Sequence, residues 1–363
     1  MNGSPFLTPE ESRLRRRQAD SRRRRRRIIG LGLSVLVVAG ALIAVLSLGG
    51  GSSRNDHSAS RRQGGSDRAL AVTAPARSPA GLLLAKPALT LSGVGTPAED
   101  PIQLEFRHPP RAGILFDLST GRVLWQRNAH KRLEIASLTK MMTALLTVSS
   151  APPSDHVLIT KAAVNSSGSK VGVLPLGKHV RVETMLYGLL LPSGNDAAVA
   201  LAEHVSGSVS AFVARMNSEA AKLGMGCTRY SSPSGYFDKG NFSCAADLAL
   251  LAHVDMAQPR IARVAHTYSA VLPFPIKGGK LYLYNNNPLL IYRYPGTTGL
   301  KTGFTLAAGR CLVATAERGG VRLGVVILNS NAPGVQAKQL LDRGFEHVYH
   351  LKRVPEPEMP PGA

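Results

Sequence analysis

Ser137 and Lys140 are the residues of this chain whose types and spacing most directly suggest chemistry. They stand three positions apart in the stretch Glu134-Ile-Ala-Ser-Leu-Thr-Lys-Met-Met-Thr-Ala-Leu-Leu146. On a helix, residues three apart have Cβ atoms about 5–6 Å apart, so a lysine amine can reach a serine hydroxyl. A hydroxyl needs a neighbouring base to become a nucleophile, and a Ser–Lys pair provides one. Alone, the pair is better explained as a helix N-terminus that carries an exposed lysine, unless partner residues are found elsewhere in the chain.

Two further polar motifs follow much later in the chain. Ser193-Gly-Asn195 lies in a break between two helical patterns, where such residues are also typical of helix caps. Lys301-Thr-Gly303 begins a strand, and Gly303 would let a ligand backbone approach closely. The order S-x-x-K, S-x-N, K-T-G at wide separation is hard to obtain by accident. The three motifs therefore predict one composite site.

This trio resembles the signature of the penicillin-recognising serine acyltransferases, which include class A β-lactamases and penicillin-binding proteins. The resemblance is strongest to the low-molecular-mass D-alanyl-D-alanine carboxypeptidases, peptidase family S11, and covers roughly residues 110–350. From the sequence we expect no β-rich C-terminal domain of the kind that many members carry. The similar segments are Ala136-Ser-Leu-Thr-Lys-Met-Met-Thr143, Ser193-Gly-Asn-Asp-Ala197, Asn286-Asn-Pro-Leu-Leu290, Gly299-Leu-Lys-Thr-Gly-Phe-Thr305 and Ala308-Gly-Arg-Cys311.

The resemblance implies catalytic roles for three side chains. Ser137 would be acylated, Lys140 would accept its proton, and Ser193 would pass a proton to the leaving D-alanine. Lys140 must be neutral for this, and partial burial together with the nearby cation of Lys301 would lower its pKa.

The resemblance also implies the residues that bind the substrate. Asn195 would orient the peptide amide and Lys140, and Gly303 would lie against the substrate. The N–H groups of Ser137 and Phe304 would form an oxyanion hole, in which a donor is worth about 2.7–4 kcal/mol. The residues expected to hold the terminal carboxylate are Lys301, Thr302 and Thr305. We expect no cofactor and no metal.

Hydrophobic periodicity indicates the elements that must position these residues. A hairpin is predicted from Ala112–Asp117 and Arg122–Gln126, followed by an amphipathic helix after Ser137 with one buried face. An all-helical middle follows, including a helix over 246–253. Three strands (300–305, 311–316 and 321–328) and a helix over 335–349 close the fold. This order predicts an α+β domain with one antiparallel sheet built from both ends and a helical insertion. The resemblance implies a five-stranded, β-lactamase/transpeptidase-like sheet.

The net charge of +21 is concentrated near the start of the chain. Residues 1–27 carry ten arginines and only three acidic residues, and they precede an uncharged span over residues 28–48. A span of 21 residues can cross a bilayer, and flanking arginines favour a cytoplasmic N-terminus. The apolar span is longer than a signal-peptide core and lacks a clear A-x-A site, so we favour an uncleaved membrane anchor over a cleaved signal. Nucleic-acid binding is not expected.

Composition divides the remainder of the chain. Residues 49–105 are rich in Gly, Ser, Ala, Arg and Pro and predict a flexible tether. Residues 106–352 form the predicted catalytic domain, outside the membrane of a bacterial cell, and residues 353–363 a disordered tail. Of the three cysteines, Cys227 and Cys244 could pair in an oxidising compartment, but three buried thiols are an equal alternative.

The predicted function is removal of the terminal D-alanine from peptidoglycan stem peptides through an acyl-enzyme, with β-lactams as inhibitors. The first alternative is a class A β-lactamase, which needs an E-x-x-x-N loop. Glu203 and Glu219 are followed four residues later by Gly207 and Leu223 instead. A D,D-endopeptidase and a catalytically inactive wall-binding protein are further alternatives. A Ser-His-Asp hydrolase is disfavoured because the chain contains no G-x-S-x-G.

Overall fold

The computed structural model describes residues 89–236, 239–352 and 354–355 of the 363-residue chain. The predicted arginine-rich tail, the predicted span over 28–48 and residues 49–88 of the predicted tether lie outside the described residues. Within the described part, no single helix has the length and apolar composition to cross a membrane. Only the consecutive helices Asn195–Ser206 and Val209–Lys222 pass that test together, with a bend of 85° between them.

The described residues form eleven strands and nine helices. The strands are β1 Ala112–Asp117, β2 Val123–Arg127, β3 Leu133–Glu134, β4 His156–Leu158, β5 His179–Arg181, β6 Phe242–Ser243, β7 Ser269–Pro273, β8 Lys280–Tyr284, β9 Thr297–Thr305, β10 Gly309–Arg318 and β11 Val321–Ser330. The helices are α1 Lys140–Ser150, α2 Lys161–Val164, α3 Val182–Leu190, α4 Asn195–Ser206, α5 Val209–Lys222, α6 Ala245–Met256, α7 Pro259–His266, α8 Pro288–Ile291 and α9 Pro333–Arg343. Two 3₁₀ turns, Pro97–Glu99 and Ala136–Thr139, and a π-helical turn, Gly344–Val348, complete the elements.

The central sheet has the strand order β2-β1-β11-β10-β9, with every neighbouring pair antiparallel. The prediction of a five-stranded antiparallel sheet built from both ends of the domain is therefore confirmed. Leu115 pairs with Val325 on β11, which joins the two ends of the domain, and Lys301 pairs with Val313 on β10. Strand β9, which carries the K-T-G motif, lies at one edge of the sheet.

Both faces of the sheet are covered, because side chains alternate along each strand. Ile114 and Val326 point into a core shared with the helical part, including α1 and α6. Leu115 and Val325, their sequence neighbours, pack into a second core with α9. This burial on two sides explains the nearly unbroken apolar runs of β1 and β11.

Helix α1 is the central helix of the helical part. The sequence predicts one buried face, but ten of its eleven residues, Lys140 through Ser149, are buried. The amphipathic prediction is wrong because α3, α4, α6 and α7 surround α1. Lys140 consequently lies inside the protein and not at the edge of a cleft.

The sequence predicts an all-helical middle, and this prediction is wrong because the middle of the domain also contains short strands. Strands β4 and β5 pair with each other, as do β7 and β8, and β3 pairs with β6. The first and third of these small sheets have strands of two or three residues, which are too short to give an alternating pattern. Helix α6 exceeds the predicted span of 246–253 at both ends.

The last part of the predicted tether belongs to the folded domain, so the predicted boundary at residue 105 is wrong. Leu89 and Ile102 are buried, and the Ile102 N–H donates to the carbonyl of Leu124 on edge strand β2. Cys227 and Cys244 form a disulfide with Cα atoms 5.7 Å apart, which decides between the two alternatives left open by the sequence.

Asp255 on α6 provides a prediction about stability. It is fully buried, neither carboxylate oxygen has a hydrogen-bond partner in the described part of the chain, and burial raises its pKa well above the ordinary value. Native Asp255 therefore keeps a proton that the unfolded chain loses. Above the unfolded pKa, the free energy of unfolding falls with pH by up to about 1.4 kcal/mol per unit.

We expect Asp255→Asn to raise the free energy of unfolding at pH 7 and to flatten its decline between pH 5 and pH 7, measured by urea denaturation. Asp342→Asn is the matched control. Asp342 accepts hydrogen bonds from Tyr294 and Lys338, so its loss should destabilise the protein. An Asp255→Asn variant with the wild-type pH slope would contradict this assignment.

Candidate active site

Ser137 lies on the 3₁₀ turn Ala136–Thr139 that leads into α1. Strand β9 passes directly beside this turn. A Cβ atom on Gly303 would lie 2.9 Å from the carbonyl oxygen of Ile135 and 3.2 Å from the amide nitrogen of Ser137. The sequence predicts that Gly303 lets a ligand approach, but the atoms closest to it belong to the turn that carries Ser137. The missing side chain therefore sets the distance between β9 and Ser137.

Lys140 is held by three oxygen atoms. Its Nζ lies 2.8 Å from Ser137 Oγ, 2.7 Å from Asn195 Oδ1 and 2.7 Å from the carbonyl oxygen of Ser234. The amide oxygen and the carbonyl can only accept hydrogen bonds. A neutral Lys140 would donate its two N–H groups to them, which leaves its lone pair facing the Ser137 hydroxyl. This is the geometry that a base needs.

Burial and charge both favour the neutral form of Lys140. The side chain is 0% exposed, and that of Lys301 is 1% exposed. Burial, and then the cation of Lys301, lower the pKa of Lys140 well below the ordinary value, while Asp196 opposes the shift. The predicted causes are therefore confirmed, and burial is the larger of the two. Burial alone lowers the pKa of Lys301 to about 7.

Asn195 is fixed in the orientation that Lys140 requires. Its Nδ2 donates to the carbonyl of Ser167 at 2.6 Å, so Oδ1 is the atom that faces Lys140. Asp196, which follows it, accepts hydrogen bonds from the N–H groups of Val171 and Gly172. The start of α4 therefore both orients the lysine and holds the loop over residues 167–172 beside the site.

Ser193 lies between α3 and α4 with a φ of 65°, a conformation that non-glycine residues rarely adopt. It does not cap α4, because Gly194 is the N-cap residue and no side chain caps that end. Its Oγ is buried and has no hydrogen-bond partner in the described part of the chain. The hydroxyl is thus available for a ligand or a proton transfer.

These residues meet at a cleft with a volume of about 510 Å³. Ser137, Ser193, Thr302, Gly303 and Phe304 line it, whereas Lys140, Asn195 and Lys301 lie buried behind its wall. The three motifs predicted to form one site are therefore brought together. Thr305 is the exception, because its Oγ1 accepts the N–H of Ala308 in the β9–β10 turn and it does not line the cleft.

Sequence reasoning did not assign roles to several residues of this site. Arg310 lines the cleft and stands opposite Phe304 in the β9–β10 pairing. Ser234 offers its carbonyl to Lys140, and the next residue has to be glycine, since a Cβ on Gly235 would lie 2.0 Å from the carbonyl oxygen of Ala136. The turn signal in Ser232-Pro-Ser-Gly235 marks this loop, but nothing local shows that it approaches α1.

The fold and this geometry define a class: an α+β protein with a candidate Ser–Lys acyl-transfer site at the edge of an antiparallel sheet. The sequence matches the D-alanyl-D-alanine carboxypeptidase family, peptidase S11, over residues 101–332. The chain therefore belongs to this family.

Individual relatives agree with that assignment. The D-alanyl-D-alanine carboxypeptidase DacF of Bacillus subtilis is 35% identical over 66% of this chain and 63% of its own length. The D-alanyl-D-alanine carboxypeptidase DacB2 of Mycobacterium tuberculosis is 36% identical over 65% of this chain and 82% of its own length. The crystal structure of the Streptomyces K15 DD-transpeptidase aligns with a TM-score of 0.63 and 31% identity, covering 67% of this chain and 99% of that one. The chain thus spans less than two thirds of the Bacillus subtilis relative.

Proposed function

We propose that this protein is a serine-type D-alanyl-D-alanine carboxypeptidase that removes the terminal D-alanine from peptidoglycan stem peptides through an acyl-enzyme. The observation that carries the proposal is the position of Lys140 Nζ, between two obligate acceptors and Ser137 Oγ, with Lys301 close enough to lower its pKa. Family membership supports the choice of substrate.

In the proposed reaction, Ser137 Oγ attacks the carbonyl carbon of the penultimate D-alanine while Lys140 takes the hydroxyl proton. The N–H groups of Ser137 and Phe304 would stabilise the oxyanion. The C–N bond to the terminal D-alanine then breaks, and the leaving amine receives the proton from Lys140 through Ser193. Water hydrolyses the ester between Ser137 and the peptide, which restores the free hydroxyl.

The same site could use other acceptors or donors. Transfer of the acyl group from Ser137 to a peptide amine would be transpeptidation, and attack of the free Ser137 hydroxyl on a cross-link would be endopeptidase activity. A β-lactamase is disfavoured because neither glutamate available for a deacylating water lines the cleft. Glu203 accepts from Thr160, and Glu219 pairs with Lys222. Penicillin should therefore acylate Ser137 and leave slowly.

Product identification tests this proposal. The full-length protein is incubated with a soluble pentapeptide ending in D-Ala-D-Ala and with wall fragments, and the products are identified by mass spectrometry. We expect one D-alanine and one tetrapeptide per turnover. Cross-linked dimers would favour transpeptidation, and loss of cross-links from the wall would favour an endopeptidase. No product from either substrate would favour a wall-binding protein.

Arg310 is our candidate for the second cation that holds the substrate's terminal carboxylate. Arg310 lines the cleft, and its Nη1 donates to the carbonyl of Asn331, which also lines it. We expect Arg310→Gln to raise KM by about tenfold, because an exposed charge-assisted hydrogen bond contributes near the lower end of about 1.5–3 kcal/mol.

The control for Arg310→Gln is a substrate whose C-terminus is an amide, on which the variant and wild type should have similar KM values. Arg322→Gln, which removes an arginine paired with Glu317 away from the cleft, should leave KM unchanged on both substrates. Equal loss on the acid and the amide would show that Arg310 acts on something other than the carboxylate.

We also propose that residues 28–48 anchor the protein in the cell membrane with the catalytic domain outside. The arginine cluster before the uncharged span supports this orientation. The disulfide between Cys227 and Cys244 is compatible with an oxidising compartment. Membrane fractionation and protease accessibility in intact cells would test the topology, and a soluble cytoplasmic protein would contradict it.

A further inference from the structure

Strand β8 presents a row of polar and aromatic side chains to solvent. Leu281 and Leu283 are buried, whereas Lys280, Tyr282 and Tyr284 alternate with them and are exposed. Tyr282 is 58% exposed and Tyr284 is 63% exposed. Large aromatic side chains this exposed, and placed next to each other on one face, are typical of a binding surface.

The partner strand extends this surface. Val271 stands directly opposite Tyr282 on β7, and it is 56% exposed. Opposite residues of an antiparallel pair have Cβ atoms about 4.5–5.5 Å apart, so Val271 and Tyr282 lie side by side, and Tyr284 follows two residues later on the same face of β8. We call Val271, Tyr282 and Tyr284 the tyrosine face.

The tyrosine face leads to the candidate active site. Asn286, two residues after Tyr284, lines the cleft, and its N–H donates to the carbonyl of Leu191, two residues before Ser193. Two residues of chain span at most about 7 Å, so Tyr284 lies within about 7 Å of the cleft wall and Tyr282 within about 14 Å, measured between Cα atoms. The tyrosine face therefore lies next to the part of the cleft wall that Asn286 forms.

We infer that the tyrosine face binds the glycan strand to which the stem peptide is attached, so that the protein prefers polymeric peptidoglycan to free stem peptide. This inference rests on the proposed function, since a stem peptide in the cleft is covalently joined to an amino-sugar polymer. Tyrosine rings offer an apolar surface to the C–H faces of sugars and a hydroxyl to their polar groups. Asn286 and Lys280 add hydrogen-bond donors at the two ends of the row.

The chemistry of the hairpin favours a glycan over a lipid surface. The β7–β8 turn exposes Pro275 and Lys277, while Phe274 is buried and Ile276 is half-buried against the main core. The turn thus presents no fully exposed large apolar side chain that could enter a bilayer. The exposed rings all carry hydroxyl groups, which suits a polar, hydroxyl-rich polymer.

The test compares one reaction on two substrates. We expect Tyr282→Ala/Tyr284→Ala to lower kcat/KM for D-alanine release from uncross-linked polymeric peptidoglycan by about tenfold, and to change kcat/KM on a soluble pentapeptide by less than about twofold. Tyr282→Phe/Tyr284→Phe, which keeps the rings, should retain most activity on the polymer. Leu158→Ala/Leu176→Ala removes exposed apolar side chains elsewhere and should change neither.

Binding is measured separately with glycan strands from which the peptides have been removed, and with vesicles of anionic phospholipid. We expect the alanine variant to lose binding to the strands and to bind vesicles as wild type does. The inference would be overturned if the alanine variant were as active as wild type on the polymer, or if it lost activity equally on the polymer and the soluble pentapeptide. It would also be overturned if the variant lost binding only to the vesicles. Failure of the wild type to release D-alanine from either the polymer or the soluble peptide would instead refute the proposed function.

Discussion

Replacing Lys140 by methionine is expected to lower the rate of acylation of Ser137 by about 10²–10⁴-fold, the usual contribution of a positioned general base. Methionine fills a similar volume but cannot take the hydroxyl proton. The measurement is the second-order rate of labelling by a fluorescent penicillin in stopped flow. Thermal unfolding of the variant checks that it remains folded, since Asn195 and Ser234 lose their donor.

Lys140→Arg distinguishes a role of Lys140 as a proton acceptor from a role as a positive charge. Arginine can donate to the same oxygen atoms but does not become neutral in a protein. We therefore expect it to acylate as poorly as the methionine variant, even where its stability is closer to wild type. Near-wild-type labelling of the arginine variant would show that Lys140 supplies charge and not a proton acceptor.

We expect Lys301 to affect both the acid limb and the alkaline limb of the pH profile of kcat/KM. The active form needs a neutral Lys140 and a protonated Lys301, so kcat/KM should rise with pH through the lowered pKa of Lys140 and fall through that of Lys301. Burial lowers the pKa of Lys301 to about 7 in the free protein. A bound carboxylate favours the protonated form, so the alkaline limb of kcat should lie at higher pH than that of kcat/KM.

Two substitutions of Lys301 test these predicted pH dependences. Lys301→Arg keeps the charge at all working pH values, so the alkaline limb should disappear. Lys301→Met removes the cation that lowers the pKa of Lys140, so the acid limb should move to higher pH while KM rises. The measurement is kcat/KM for D-alanine release from pH 5 to pH 10. Unchanged limbs in both variants would mean that the two lysines are not coupled.

The sequence was sufficient to predict the sheet because its signals are local. Strands β1, β10 and β11 each carry an apolar run, and turn residues such as Gly319 and Gly320 mark their ends. The short strands β4 and β5 were not predicted, because three residues are too few to show an alternating pattern of buried and exposed side chains. The contacts of residues 89–105 with β2 were missed since their composition alone favours a tether.

The residues that form the composite site could be predicted from the sequence, but the burial of Lys140 could not. Ser137, Lys140, Ser193, Asn195 and Lys301 were identified from motif order, and the structure brings them together. Nothing local indicates that Lys140 is enclosed on all sides, because this depends on the loop at Ser234, which is distant in the chain. The turn that engages Thr305 likewise depends on Ala308 and on the geometry of the hairpin.

Intact-mass spectrometry after mixing with a penicillin tests the proposed catalytic roles most directly. We expect one adduct per chain, located by peptide mapping on the segment that contains Ser137, persisting for many minutes and absent from Ser137→Ala. An adduct on any other residue, or labelling of Ser137→Ala at the wild-type rate, would contradict Ser137 as the nucleophile that Lys140 activates.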